Sequence, residues 1–137
     1  MKIILTSFRD AKNYLGSFPF SIARSQPKGF MFPSLRAFAP VRKDGSDIKH
    51  LPPDQYRSEY EIAVLSSEET LRHVTNTLSE KFKRYDTILL CCWCNPTRQD
   101  KYEKLMCHRI LVGYWLEKHT DFEILFADGA ENPIWER

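Results

Sequence analysis

The spacing of apolar residues along the chain predicts that strands and helices alternate. Lys2–Phe8 is rich in aliphatic and β-branched residues, which is typical of a strand. Asp10–Leu15 is predicted to form a short helix that ends at Gly16, a residue type that commonly follows helices. Pro19–Arg24 is predicted to be the second strand. The N-terminal part of the chain therefore has the order of a β-α-β unit.

Two helices are predicted for the middle of the chain. Asp54–Leu65 has helical spacing of its apolar residues and follows a pair of prolines, which favour a helix start. The sequence Ser66-Ser67-Glu68-Glu69 then has the form of a capping box. The helix that it begins should carry its apolar residues on one stripe. These residues are Leu71, Val74, Leu78 and Phe82.

The C-terminal part of the chain predicts a strand, a helix and a strand. Tyr85–Cys94 contains a nearly continuous apolar run, which favours a strand of a parallel sheet covered on both faces. His108–His119 is predicted to be a helix, and Phe122–Ala127 a last strand of the same buried type. The whole order predicts an α/β protein, a three-layer sandwich with a mainly parallel, Rossmann-like sheet.

The length of the chain fits one domain. A chain of 137 residues can bury a substantial core by itself, so residues 1–137 are predicted to form a single α/β domain. Residues 25–53 are rich in proline and glycine and are predicted to form a long loop region within that domain. Loops of this length are often functional.

Composition indicates a folded protein outside the membrane. Hydrophobic residues make up 42% of the chain and charged residues 28%, which is ordinary for a globular domain. The longest uninterrupted apolar run, Ile88–Cys94, is much shorter than the roughly 20 residues of a membrane-spanning helix. The N-terminus lacks the features of a signal peptide. We therefore expect a cytoplasmic location, reduced cysteines and no membrane partner.

Positive charge is concentrated in the N-terminal part of the chain. The net charge is +2, but residues 1–50 carry +6 and the remainder −4. Residues 24–36 also interleave basic and aromatic side chains, a pattern that can bind single-stranded nucleic acid by stacking over a positive track. The alternative is that the aromatic residues cover the sheet while Lys28 and Arg36 are solvated. Both interpretations remain open.

The chemically versatile side chains are concentrated in one short region. All four cysteines lie between Cys91 and Cys107, and Cys107 directly precedes His108. Ligands of open parallel sheets bind at the carboxyl ends of the strands. The residues predicted at that edge, or at the start of the helix that follows the third strand, are Arg24, Cys92, Cys94, Cys107, His108, Arg109 and Asp128.

The first hypothesis for this region is an anion-binding crevice. The free N–H groups at a helix start attract phosphate or carboxylate groups. Arg24 and Arg109 would then hold an oxyanion, with Lys28 and Asp128 as further ligand-binding candidates. A phosphorylated metabolite, a nucleotide or a nucleic-acid phosphate would fit such a crevice. In an enzyme, Cys92 or Cys107 would be the nucleophile and His108 the acid or base.

The second hypothesis is a structural zinc site in a non-enzymatic module that binds or inhibits a protein partner. Cys92, Cys94, Cys107 and His108 form a Cys₃His set that suits tetrahedral zinc, although their spacing is unusual. Zinc is the only cofactor that the sequence suggests. A third alternative is that the cysteines are ordinary core residues, because cysteine is among the most buried residue types. For Cys91 core packing is the preferred interpretation. Whether the protein is an enzyme is left open.

Several segments of the chain resemble the family called domain of unknown function 488. The resemblance covers most of the chain and implies an α/β fold, a functional crevice and no particular reaction. It implies importance for Ser21, Arg24, Cys92, Cys107, His108 and Arg109. The loop before Cys107 is longer than is usual in that family, and Cys94 stands where an acidic residue is expected. The resemblance rests on Ser21-Ile22-Ala23-Arg24, Pro27-Lys28-Gly29, Leu35 to Pro40, Leu89-Leu90-Cys91-Cys92 and Cys107-His108-Arg109.

Overall fold

A four-stranded, all-parallel sheet organises the structure, a computed structural model that describes residues 1–42, 44–48, 51–93 and 108–127. The strand order is β2-β3-β1-β4, so β3 and β1 are the central strands. The predicted α/β sandwich with a parallel sheet is confirmed; the Rossmann-like detail stays a prediction. The strands are β1 (Lys2–Ser7), β2 (Phe18–Ser21), β3 (Thr87–Cys92) and β4 (Glu123–Phe126).

Three α-helices are described, and local sequence signals account for where they begin. They are α1 (Pro53–Tyr60), α2 (Glu68–Phe82) and α3 (His108–His119). The Oγ atom of Ser67 accepts a hydrogen bond from the backbone N–H of Thr70 at 3.2 Å, which confirms the predicted start of α2. In the described part of the chain, no helix is long and apolar enough to cross a membrane.

Short helical segments occupy parts of the connections between these elements. A π-helical segment, Glu61–Leu65, continues α1, and single 3₁₀ turns lie at Ala11–Asn13 and Arg36–Phe38. The predicted helix Asp10–Leu15 is therefore wrong apart from one turn. The connection from β1 must cross β3 to reach β2, which leaves too few residues for a full helix on the sheet.

All three α-helices contribute to the core on one face of the sheet. Ile3 and Leu5 of β1 lie in register with Ile88 and Leu90 of β3, and all four side chains are fully buried. Side chains of each helix join the same cluster because their apolar stripes face the sheet. The helix residues of this cluster with the least exposure are Tyr56, Tyr60, Val74, Leu78, Val112 and Leu116.

The opposite face of the sheet is covered by the β1–β2 connection. Ile4, Leu89 and Cys91 form a small cluster there, against which Phe8 and Tyr14 of the connection pack. β3, in the centre, is buried on both faces, as its apolar run predicts. β4 is different, since it pairs with β1 at the edge of the described sheet and exposes 40% of Leu125. The prediction that the last strand is buried on both faces is wrong, because Ile124 on one face is covered while Leu125 on the other face is exposed.

The described elements that follow the two central strands pack on opposite faces of the sheet. The segment after β1 covers the face with the smaller cluster, whereas α3, the helix after β3, packs in the main core. Adjacent strand ends whose connections diverge in this way form a topological switch point, the place where ligands of open α/β sheets bind. The carboxyl ends of β1 and β3, at Ser7 and Cys92, are therefore the expected position of a site.

Gly113 sets how closely α3 approaches the sheet. A Cβ atom at this position would collide with the ring of Phe126 in β4 and lie 3.4 Å from Leu5 Cδ2. We expect Gly113→Ala to lower the free energy of unfolding by about 1 kcal/mol, since overpacking outweighs the gain in helix propensity. Urea denaturation measures the effect, and adding Phe126→Leu should restore stability. A Gly113→Ala protein more stable than the parent would contradict this packing.

Candidate functional site

Ser7 and Cys92 lie side by side at the switch point. They are register partners at the ends of β1 and β3, and each exposes about 1% of its surface. The backbone N–H of Phe8 donates to the Cys92 carbonyl oxygen at 2.9 Å, which extends the strand pairing by one residue. Ser7 Oγ also donates to Asp10 Oδ2 at 3.2 Å and accepts from the Asp10 backbone N–H at 3.1 Å. The edge thus holds a hydroxyl, a thiol and a nearby carboxylate.

Arg109 places a positive charge beside Cys92. Its Nη1 atom lies 3.8 Å from Cys92 Sγ, and the whole residue is 1% exposed. Arg109 is the second residue of α3, so the positive end of the helix dipole lies near the same point. Both features favour negative charge, whether on a thiolate or on a bound anion. Burial strengthens these interactions because little water screens them.

His108 connects the start of α3 to the end of β2. Its Nε2 atom donates a hydrogen bond to the Ile22 carbonyl oxygen at 2.7 Å, and its ring centroid lies 5.6 Å from that of Tyr60. A carbonyl oxygen is only an acceptor, so Nε2 carries the proton. Acid or base chemistry, or a metal, would therefore have to use Nδ1. The bond to Ile22 by itself gives His108 a structural role.

The site residues predicted at the end of β2 lie in different environments. Ser21 is buried, and its Oγ atom accepts hydrogen bonds from Ala23 N at 3.2 Å and Gln26 Nε2 at 3.0 Å, which stabilises the turn after β2. Arg24 lies beyond the strand, which ends at Ser21 rather than at Arg24 as predicted. At this point the backbone groups of Ser21 form hydrogen bonds with the backbone of residues 33–35.

Arg24 and Lys28 are both exposed. Arg24 Nη1 forms an ion pair with Asp47 Oδ2 at 3.0 Å at the protein surface. Lys28 lines a cavity on the face of the sheet opposite the three described α-helices. The structure therefore brings Cys92, His108 and Arg109 together at the strand ends and places the Arg24 and Lys28 side chains elsewhere.

Three residues of the predicted site lie outside the described residues. They are Cys94, Cys107 and Asp128, so their predicted roles stay predictions. Among the described residues, no group of three histidine, cysteine, aspartate or glutamate side chains is arranged to hold a metal ion. Of the predicted Cys₃His set, the structure describes Cys92 and His108. Cys92 lies next to a guanidinium, and His108 forms a hydrogen bond with a backbone carbonyl oxygen.

Sequence reasoning missed Ser7 and Asp10. Ser7 ends the first predicted strand region, but the pairing that places it beside Cys92 joins residues 85 positions apart and leaves no local signal. Asp10 was assigned to a helix start and instead interacts with Ser7. A polar residue at the carboxyl end of a predicted parallel strand was the only signal available for this pair.

Comparison with known proteins identifies no relatives of this chain. No family model, no curated protein and no solved structure matches it significantly.

The reactivity of the Cys91 thiol tests the buried environment that the structure assigns to it. Burial, and in second place the neighbouring Cys92, raises the pKa of the Cys91 thiol to about 12. At pH 8 only about one molecule in ten thousand would carry the thiolate there. We expect iodoacetamide to leave Cys91 unmodified in the folded protein and to modify it readily in urea, as measured by peptide mass spectrometry. Equal labelling rates in both conditions would contradict the assigned environment.

Proposed function

We propose that this protein binds a phosphate-bearing anion in the crevice at the ends of β1 and β3. The observation that carries the proposal is the buried Arg109 guanidinium at the start of α3, 3.8 Å from Cys92 Sγ. A buried arginine is costly to desolvate and is retained where it meets negative charge. The switch-point position supports the same site, since ligands of this sheet type bind there.

An anion suits this position better than a zinc ion. Zinc would be held by the thiolate of Cys92, and the fixed positive charge of Arg109 beside that sulfur would repel the metal. The start of α3 adds a partial positive charge of the same sign. A phosphate or carboxylate group is attracted by both. The zinc module therefore remains the second hypothesis, and the geometry of the described residues favours the first.

A reactive thiol at Cys92 is an extension of the proposal. A guanidinium stabilises a nearby thiolate, and His108 Nδ1 is the acid or base candidate in the same region. Anion binding does not require a reactive thiol. The proposal therefore covers both a binding module and an enzyme that acts in the same crevice. The resemblance to the family called domain of unknown function 488 and a cytoplasmic location belong to the proposal as well.

Replacing Arg109 tests the proposal directly. Inorganic phosphate should raise the midpoint of thermal unfolding of the parent protein, because it binds the folded state. We expect Arg109→Lys to weaken phosphate binding about tenfold, since lysine keeps the charge but loses the paired N–H groups. Arg109→Gln should abolish binding. Isothermal titration calorimetry with phosphate measures both effects.

Cys91→Ala is the matched control for these variants. Cys91 is adjacent to Cys92 but lies in the cluster on the opposite face of the sheet, so its replacement should leave phosphate binding unchanged. Circular dichroism establishes that each variant is folded, and Arg109→Lys serves if Arg109→Gln is not. The proposal fails if the parent protein does not bind phosphate at millimolar concentration, or if folded Arg109 variants bind it equally well.

A further inference from the structure

A cavity of about 430 Å³ lies against the face of the sheet opposite the three described α-helices. Leu89 of β3 and Pro19 of β2 contribute to its lining from the sheet, and two connecting segments contribute the rest of the described lining. These segments are residues 8–17 and 27–32. Leu89 belongs to the cluster on this face, whereas Cys92 belongs to the helix-covered core. The cavity and the Arg109 crevice are therefore on different sides of the sheet.

Two turns of the same kind shape the walls of this cavity. In one, Ser17 N donates to the Tyr14 carbonyl at 3.3 Å around Gly16, whose φ is 86°. In the other, Phe30 N donates to the Pro27 carbonyl at 3.1 Å around Gly29, whose φ is 90°. Glycine with positive φ at the third position is typical of a type II turn. Hydrogen-bonded turns thus define both of these walls.

Aromatic side chains dominate the cavity lining. Phe30 contacts Phe8 with a centroid distance of 5.1 Å and Phe32 with a distance of 5.7 Å, in both cases edge to face. Tyr14 also lines the cavity. Phe32 remains 48% exposed despite its contacts. A flat apolar ligand would therefore find ring surfaces that the protein itself does not fully cover.

The charged side chains of the cavity are both positive. Lys12 and Lys28 line it, one from each connecting segment, and both are exposed. Among the described residues that line it, none is an aspartate or glutamate. The described lining therefore combines apolar side chains with two positive charges, which attract an anion.

We propose that this cavity is a binding site for a small aromatic anion of nucleotide size. The flat ring would stack on the phenylalanine side chains, and Lys12 and Lys28 would contact a phosphate or carboxylate on the same molecule. The volume lies within the range of small-molecule sites, roughly 300–1,000 Å³. The ring alone would leave the lysines without a partner, and inorganic phosphate would leave the aromatic surface unfilled. This site is independent of the Arg109 crevice.

Adenosine monophosphate is a suitable probe because it carries both a flat ring and a phosphate. Calorimetric titration of the full chain should show binding of adenosine monophosphate, with adenosine and inorganic phosphate about tenfold or more weaker at this site. A single-stranded tetranucleotide forms the fourth arm. If it binds more tightly than the mononucleotide, the small-molecule assignment is wrong and the surface is one for nucleic acid.

Variants on the two walls test where the mononucleotide binds. We expect Phe32→Ala and Lys28→Glu each to weaken its binding about tenfold, since stacking and charge are lost separately. Met31→Ala is the control for the first, because Met31 is 88% exposed next to Phe32 and does not line the cavity. Arg72→Glu on the exposed surface of α2 is the control for the second and makes the same change in net charge.

The outcomes separate this site from the Arg109 crevice. Circular dichroism shows whether each variant is folded, and Lys28→Glu, at an exposed position, keeps the test valid if Phe32→Ala does not fold. Mononucleotide binding that neither substitution weakens would overturn the inference and leave the Arg109 proposal intact. Absence of mononucleotide binding at millimolar concentration would also overturn it, whatever inorganic phosphate does.

Discussion

The parallel pairing of β1 with β3 is the constraint on which the rest of the structure depends. The two strands are in register over their whole lengths, from Lys2 opposite Thr87 to Ser7 opposite Cys92. Parallel neighbours end at the same edge, so polar side chains from distant parts of the sequence meet there. The elements that follow the two strands, the β1–β2 connection and α3, pack on opposite faces of the sheet, which is the arrangement of a topological switch point. The pairing thus creates the place where Arg109 can approach Cys92.

Unequal cover of the two faces follows from the same arrangement. All three α-helices serve one face, and a connection with a single 3₁₀ turn serves the other. On the helix side the core closes tightly enough to bury Arg109 and His108. On the other side the turns around Gly16 and Gly29 support aromatic side chains that leave a cavity. One sheet therefore carries a buried polar cluster at its strand ends and an open aromatic pocket on the opposite face.

Local patterns predicted the elements whose stability is local. The cap at Ser67 and the apolar stripe of α2 lie within one helix, and His108–His119 has the predicted bounds. The errors lie where distant segments decide the structure. β4 is exposed on one face at Leu125, and Arg24 is paired with Asp47, 23 residues away. The sequence predicted that Arg109 and Cys92 lie at the same edge of the sheet but not that they are in contact. Hydrophobic periodicity does not specify which polar groups touch.

Cys91 and Cys92 show why burial of Arg109 points to function. The two cysteines are adjacent in β3, so the strand directs them to opposite faces. Cys91 lies among apolar residues, which raises its pKa to about 12 and keeps it neutral. Cys92 instead has a guanidinium for a neighbour. An apolar side chain in place of Arg109 would fill the core without the cost of desolvating a charge. A buried guanidinium beside a strand-end thiol therefore marks this edge of the sheet as the polar part of an otherwise apolar core, which is the feature that the proposed anion site uses.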